Sequence, residues 1–175
     1  MILIRKIEND ELYKIKEIDR SEEIFEMYKH SGVDLKLISH AENVSGFDEL
    51  ELTEIITWQL KLAKRGGLVV GAFDEAKIVG VASVEKQKRG AQQNYCKMDI
   101  LYIDNQYKRH GIGSQLLAAC KKEAKKFGAE KLYISATPTK NTVDFYLRRG
   151  ARLVVELDQV LFAKEPEDIH LELDI

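Results

Sequence analysis

The sequence has only two cysteines, two prolines and one tryptophan. Each scarcity removes a class of protein. Cys96 and Cys120 are too few for a disulfide framework, and neither has a neighbour at metal-ligand spacing, so both read as reduced thiols and no metal site is expected. No apolar run approaches the roughly 18 residues of a membrane span. The start, "MILIRKIEND", holds no apolar stretch of the length a secretion signal needs. Lys and Arg number 27 against 29 Asp and Glu, a formal charge of −2. That balance lacks the strongly basic surface of a general nucleic-acid binder. There is also no internal repeat and no low-complexity linker. A chain of 175 residues then fits one domain, residues 1–175, since single domains commonly run about 100–200 residues. The expectation is a soluble cytoplasmic domain with neither a membrane nor a nucleic acid as partner.

Hydrophobic residues make up 45% of the chain, enough for a core of its own. "MILIRKI" alternates apolar and polar residues and predicts a first strand. Leu12, Ile15, Ile18, Ile24 and Met27 fall at steps of three or six residues and predict a helix from Asp10 to about Ser31. "SGVDLKLISHAENVSGFDEL" is less regular and reads as a long loop with a short strand. Leu52, Ile55, Ile56, Leu60 and Ala63 make one helical face, stopped by Gly66-Gly67. Two β-rich runs around Asp74-Glu75-Ala76-Lys77 predict a hairpin, and "NYCKMDILYID" a long strand. A helix follows, burying Ile112, Leu116, Leu117, Cys120, Ala124 and Phe127. "KLYISATP" is a strand cut off by proline. "TKNTVDFYLRRGA" is a short helix stopped at Gly150. "RLVVELD" and "DIHLELDI" close the chain as strands. This is a mixed sheet with helices crossing between strands in its second half.

The stretch "YKRHGIGSQLLAACKKEAKKFG", Tyr107 to Gly128, carries the most chemistry. Its helix N-terminus has N–H groups without internal partners and a partial positive charge. Gly111 and Gly113 let backbone approach a ligand, and Lys108 and Arg109 add full charges. This describes a pyrophosphate seat. A tight strand-to-helix turn with no ligand is the plain alternative for G-x-G alone. A Walker loop is absent, and a dinucleotide fingerprint needs a glycine where Leu116 stands.

The run from Met98 to Val154, with Lys108-Arg109-His110-Gly111-Ile112-Gly113 and then "NTVDFYLRRGA", resembles the GNAT family of acetyl-CoA-dependent N-acetyltransferases. The signature [QR]-x-x-G-x-[GA] is met except that Lys108 holds its first position. The resemblance implies an α/β (α+β) fold with a mixed, mostly antiparallel central sheet of about seven strands flanked by about four helices. It implies acetyl-CoA as cofactor. Backbone N–H groups of Arg109, His110, Gly111, Ile112, Gly113 and Ser114, beside Lys108, would hold the pyrophosphate. Backbone groups of Leu101 and Ile103 would pair with pantetheine, the Leu101 N–H also polarising the thioester carbonyl. Asn141 would bond the pantetheine arm, and Tyr146 would protonate the departing sulfur. A core aromatic role beside Phe145 is the alternative for Tyr146.

Many relatives carry a Glu at the position of Lys97, and a charged lysine cannot act as the base. Asp99, expected on the same strand face as Lys97 and Leu101, is the carboxylate candidate. An ion pair with Lys97, or water relaying the proton, is the alternative. His40 is a lone loop histidine and a weaker candidate. Asp48, Glu49, Glu51 and Glu54 in one segment, and Glu165, Glu167 and Asp168 in another, would attract a cationic amine or simply face solvent. Phe47 and Trp58 offer an aromatic wall. The expected activity is acetyl transfer to a primary amine of a small molecule or protein by direct attack in a ternary complex. A non-catalytic acyl-CoA-binding sensor on the same fold is the other reading. Pairing of the final strands across a homodimer is left open.

Overall fold

A computed structural model describes residues Met1–Ile175. Nine strands and four α-helices follow in chain order: β1 Ile2–Lys6, β2 Glu22–Ser31, β3 Asp34–Val44, α1 Glu49–Lys64, β4 Leu68–Asp74, β5 Lys77–Arg89, β6 Tyr95–Ile103, α2 Ile112–Lys126, β7 Lys131–Ala136, α3 Lys140–Leu147, β8 Arg152–Leu153, α4 Gln159–Lys164 and β9 Ile169–Asp174. Short 3₁₀ helices occupy Asn9–Glu17 and Asn105–Tyr107. Seven strands form the central sheet in the order β1-β4-β5-β6-β7-β9-β8, and β2 and β3 pair separately. All central pairings are antiparallel except β6 with β7. That parallel pair requires a crossover, which α2 supplies.

Apolar positions on both sheet faces dictate three layers. Ile112, Leu116, Leu117, Cys120 and Ala124 of α2 bury their stripe against Val79, Ala82 and Val84 of β5 and Cys96 and Met98 of β6. Phe127, expected in that stripe, is only half-buried as the C-cap of the helix. On the opposite face Leu12 and Ile15 of the 3₁₀ helix, with Leu62 of α1, cover Val69, Phe73, Ile78 and Val81. The side chain of Asp48 caps α1 by accepting from the Glu51 N–H at 2.8 Å, and that of Thr139 caps α3.

Two expectations fail in the first quarter of the chain. The helix predicted to Ser31 ends at Glu17, because Asp19 Oδ1 accepts from the Ser21 N–H at 2.9 Å and turns the chain. Glu22 to Ser31 is instead β2, a strand whose bulge between Ile24 and Glu26 mimics helical spacing. The segment read as irregular is β3, joined to β2 by a two-residue turn at Gly32-Val33. The hairpin docks on the main body: the Tyr28 N–H donates to Pro138 O at 2.8 Å, and the Tyr28 hydroxyl to Asp144 at 2.7 Å. Near the C-terminus the predicted strand "RLVVELD" shrinks to Arg152–Leu153. The chain then leaves the sheet and forms α4, capped by Asp158 through the Val160 and Leu161 N–H groups. The last strand, β9, lies inside the sheet between β7 and β8 rather than at its edge.

Candidate active site

The site begins where two neighbouring strands part. β6 and β7 pair from Tyr95 with Lys131 to Met98 with Ile134, and β6 then runs on alone to Ile103. On its other side β6 stays bound to β5, with Leu101 opposite Ala82 and Ile103 opposite Gly80. The Asp104 N–H donates to Val79 O at 2.9 Å, so alternate residues, Tyr102 included, direct their backbone groups at β5. Leu101 and Ile103 therefore direct theirs away from β5, into the gap that β7 has left. They form a free strand edge of the kind an extended ligand can extend.

A bulge sets the side chains here. Between Val84 and Ala82 on β5, β6 advances from Met98 to Leu101 and so carries one extra residue. Leu101 and Ile103 consequently pack on the α2 side, while Asp99, Ile100 and Tyr102 face α1. The expectation that Asp99 shares a face with Leu101 is corrected by this bulge. Asp99 and Lys97 do share a face: Lys97 Nζ donates to Asp99 Oδ1 at 2.7 Å, and Gln59 Nε2 to Asp99 Oδ2 at 2.8 Å.

The free edge leads to the glycine turn. Arg109 has φ 67° and Gly111, the residue that caps α2, has φ 79°. No side chain caps the helix. None of the N–H groups from Arg109 to Ser114 has a partner within the protein; the first to find one is that of Gln115, which donates to Gly111 O at 3.2 Å. A row of unpartnered donors at a helix start, a nest, is an arrangement that suits an anion. Gly111 is required for its left-handed backbone, since a Cβ there would meet nothing within 4 Å. Gly113 is required for closeness. Arg109, His110 and Gly111 are exposed and Lys108 is half-buried.

Beside the nest lies a cleft of about 590 Å³ lined by Ser114, Leu117, Ala118, Lys121, Arg148, Arg149 and Leu173. The guanidinium carbon of Arg149 lies over the Phe145 ring, 3.7 Å from its centre, and its Nε donates to Ser114 Oγ at 3.1 Å. Sequence reasoning missed Arg148, Arg149 and Lys121. The "LRRG" at the end of α3 carried the signal, but only the fold brings it to Ser114.

Tyr146 is 5% exposed and belongs to the apolar cluster that Leu101 and Ile103 border. Its hydroxyl makes no hydrogen bond within the protein. Burial, then the neighbouring Cys120 and Tyr102, push its pKa well above the ordinary 10.0. It thus stays a protonated donor at any working pH. Asn141 is exposed and donates to Glu22 Oε1 at 3.0 Å. Phe47 stands edge-on to Tyr102 at 5.1 Å and beneath Arg20, on the α1 side of the site. Trp58 does not join it; it lies on the outer face of α1, 38% exposed, beside Arg65. His40 is a half-buried residue of β3, 2.9 Å from Glu42. Of the acidic residues, Glu51 pairs with Arg20, and Asp168 is half-buried against Ser135.

The model of the acetyltransferase (GNAT) family matches residues 17–151. The chain belongs to the GNAT family. Solved structures agree on the fold. Nourseothricin acetyltransferase superposes with a TM-score of 0.74 at 15% identity, covering 99% of this chain and 98% of its own. A Bacillus anthracis protein assigned as a streptothricin acetyltransferase, solved with acetyl coenzyme A, gives 0.66 at 20% identity over 100% of both chains. The PaiA N-acetyltransferase of Thermoplasma acidophilum, solved with coenzyme A, gives 0.64 at 19% identity, covering 100% of this chain and 99% of its own. No curated protein matches the sequence. No helix of this GNAT protein is long and apolar enough to cross a membrane.

Proposed function

We propose that the protein is an N-acetyltransferase that moves the acetyl group of acetyl-CoA to a primary amine by direct attack within a ternary complex. The observation that carries this reading is the continuity of two free donor arrays: the open edge of β6 at Leu101 and Ile103, and the unpartnered N–H row from Arg109 to Ser114. A ligand with an amide-bearing arm and a pyrophosphate matches both. The residues fit coenzyme A, and nothing in the nest demands the Gln or Arg that Lys108 replaces, because the donors are backbone.

Acetyl-CoA, when bound, supplies an activated thioester. Everything else falls to the chain. The N–H groups of Arg109 to Ser114 hold the pyrophosphate, supported by Lys108. Leu101 and Ile103 orient the pantetheine arm, and the Leu101 N–H stabilises developing charge on the carbonyl oxygen. Asn141, at the start of α3, reaches the same arm once it releases Glu22. Tyr146, buried and protonated, donates to the sulfur. Asp99 is engaged by two donors, Lys97 and Gln59, and its contribution is to fix both on the acceptor side.

The nourseothricin and streptothricin acetyltransferase neighbours are in keeping with a small-molecule acceptor, and the acidic residues on the α1 side would attract a cationic amine. The test is thiol release from acetyl-CoA across a panel of polyamine, aminoglycoside-like and peptide amines. Transfer to any of them supports the enzyme. Tight acetyl-CoA binding without transfer to any favours the sensor.

A further inference from the structure

One guanidinium fastens the end of α3 to the first turn of α2. Arg149 follows Arg148, the C-cap of α3. Its Nε and Nη2 both donate to Ser114 Oγ, at 3.1 and 2.5 Å, and its Nη1 donates to Phe145 O at 2.8 Å. Its guanidinium carbon lies over the Phe145 ring, the same ring that crowds Gly113. Phe145 and Arg149 thus seat on consecutive residues of the glycine turn, Gly113 and Ser114.

Arg149 pairs with no carboxylate. Asp144, on the same helix, goes to Lys140 at 2.6 Å and to Arg148 at 3.8 Å instead. Burial, then the neighbouring Arg148, lower the Arg149 pKa below the usual arginine value. A half-buried guanidinium beside a second cation, with no counter-ion, is unfavourable by itself. The fold holds it there by hydrogen bonds to neutral oxygens alone.

The other end of the grip shows what this accomplishes. A serine hydroxyl carries one hydrogen to donate and two lone pairs to accept with. The forked guanidinium occupies both lone pairs of Ser114, so the hydrogen cannot point at Arg149. Those two are also the only hydrogen bonds of Ser114 Oγ. The hydrogen is left for a partner outside the protein. It lies beside the Ser114 N–H that closes the unpartnered row from Arg109, at the rim of the cleft that Ser114 lines.

We propose that Arg149 is a positioning residue for the cofactor: it fixes the Ser114 hydroxyl as a side-chain donor at the end of the N–H row, aimed at a pyrophosphate oxygen. The inference rests on the coenzyme A reading and deepens it. Without the fork, a helical serine hydroxyl rotates among its staggered positions and turns back onto a carbonyl of the preceding turn. With the fork, the donor is set before the anion arrives, which lowers the entropy lost on binding. The charge on Arg149 also polarises that O–H and makes it a stronger donor. Lysine cannot take over the task, since an ammonium lacks the planar fork.

The experiment is a double-mutant cycle read by calorimetry with acetyl-CoA and with 3′-dephospho-coenzyme A. It uses the wild type, Ser114→Ala, Arg149→Met, the variant that combines both, and Arg149→Lys. Ser114→Ala and Arg149→Lys are each expected to weaken acetyl-CoA about tenfold. The combined variant is expected to bind within about twofold of Arg149→Met alone, because both changes remove one donor. 3′-Dephospho-coenzyme A, with the same pyrophosphate, is expected to lose the same factors. A merely structural tie would lower the melting temperature of Arg149→Met and leave the two losses additive. Additive losses, or Arg149→Lys binding as the wild type does, overturn the proposal. A loss seen with acetyl-CoA and absent with 3′-dephospho-coenzyme A also overturns it, and puts Arg149 on the 3′-phosphate instead. If the wild type binds neither coenzyme A form, the acetyltransferase reading falls. The same cycle is then read with inorganic pyrophosphate, by amide NMR of residues 109–114. Additive losses or no response there overturn the proposal, and coupled losses uphold it.

Discussion

Gly113 and Phe145 lie so close that a Cβ on the glycine would sit 3.0 Å from the Phe145 ring. This contact seats the first turn of α2 against α3, and it brings Ser114 to Arg149. The two glycines of the turn therefore serve different ends. Gly111→Ala adds no clash but strains a left-handed backbone, a cost of about 1–2 kcal/mol. Gly113→Val must displace Phe145, an overpacking cost of about 1–3 kcal/mol. Thermal unfolding of both variants, beside acetyl-CoA titration, separates the two effects. Gly111→Ala is expected to lose affinity at modest stability cost, and Gly113→Val to lose both.

Tyr146→Phe removes a hydroxyl that bonds nothing within the protein. Stability should change by no more than about 1 kcal/mol. Acetyl-CoA affinity should hold while transfer slows about a hundredfold. Steady-state thiol release decides it, and unchanged turnover removes Tyr146 from the acid role.

Arg5 donates to both oxygens of Glu11, at 2.7 and 2.8 Å. The hydrogen bond from Arg5, ahead of opposing desolvation, lowers the Glu11 pKa from 4.5 to about 2. A depressed carboxyl stabilises the fold above its unfolded pKa and loses that contribution as pH falls through the folded one. The stability gap between the wild type and Glu11→Gln should thus be full above pH 4.5 and close by about pH 2. Melting temperatures across that window test the sign.

The β2–β3 hairpin is held to α3 by the Tyr28–Asp144 hydrogen bond, which also raises the Tyr28 pKa. Tyr28→Phe should weaken docking by about 1 kcal/mol. Amide hydrogen exchange should then rise across the hairpin and α3 and stay unchanged in β4 and β5.

The sequence made the second half of this fold legible because its signals are local. Gly111 and Gly113, the α2 stripe and Gly150 each mark structure within a few residues. The first quarter misled because a bulge between Ile24 and Glu26 gave a strand helical spacing. The local mark of the strand pair is the turn at Gly32. The α4 helix was signalled by Asp158 ahead of it and Pro166 beyond, yet its six residues are too few to show a period. In the site, the nest was readable because backbone chemistry follows from glycine spacing. The bulge that turns Asp99 away from Leu101 was not, since strand register depends on β5. Gln59, Arg149 and Asp168 meet their partners only through the fold, so no spacing announces them.

The central claim is that the open edge of β6 and the nest from Arg109 to Ser114 form one coenzyme A site. Calorimetric titration with acetyl-CoA, with coenzyme A and ATP alongside, tests it most directly. The account predicts saturable binding of both CoA forms, weakened by Gly111→Ala, and weak or absent ATP binding because only the pantetheine arm can use Leu101 and Ile103. Equal binding of all three, or of none, would contradict it.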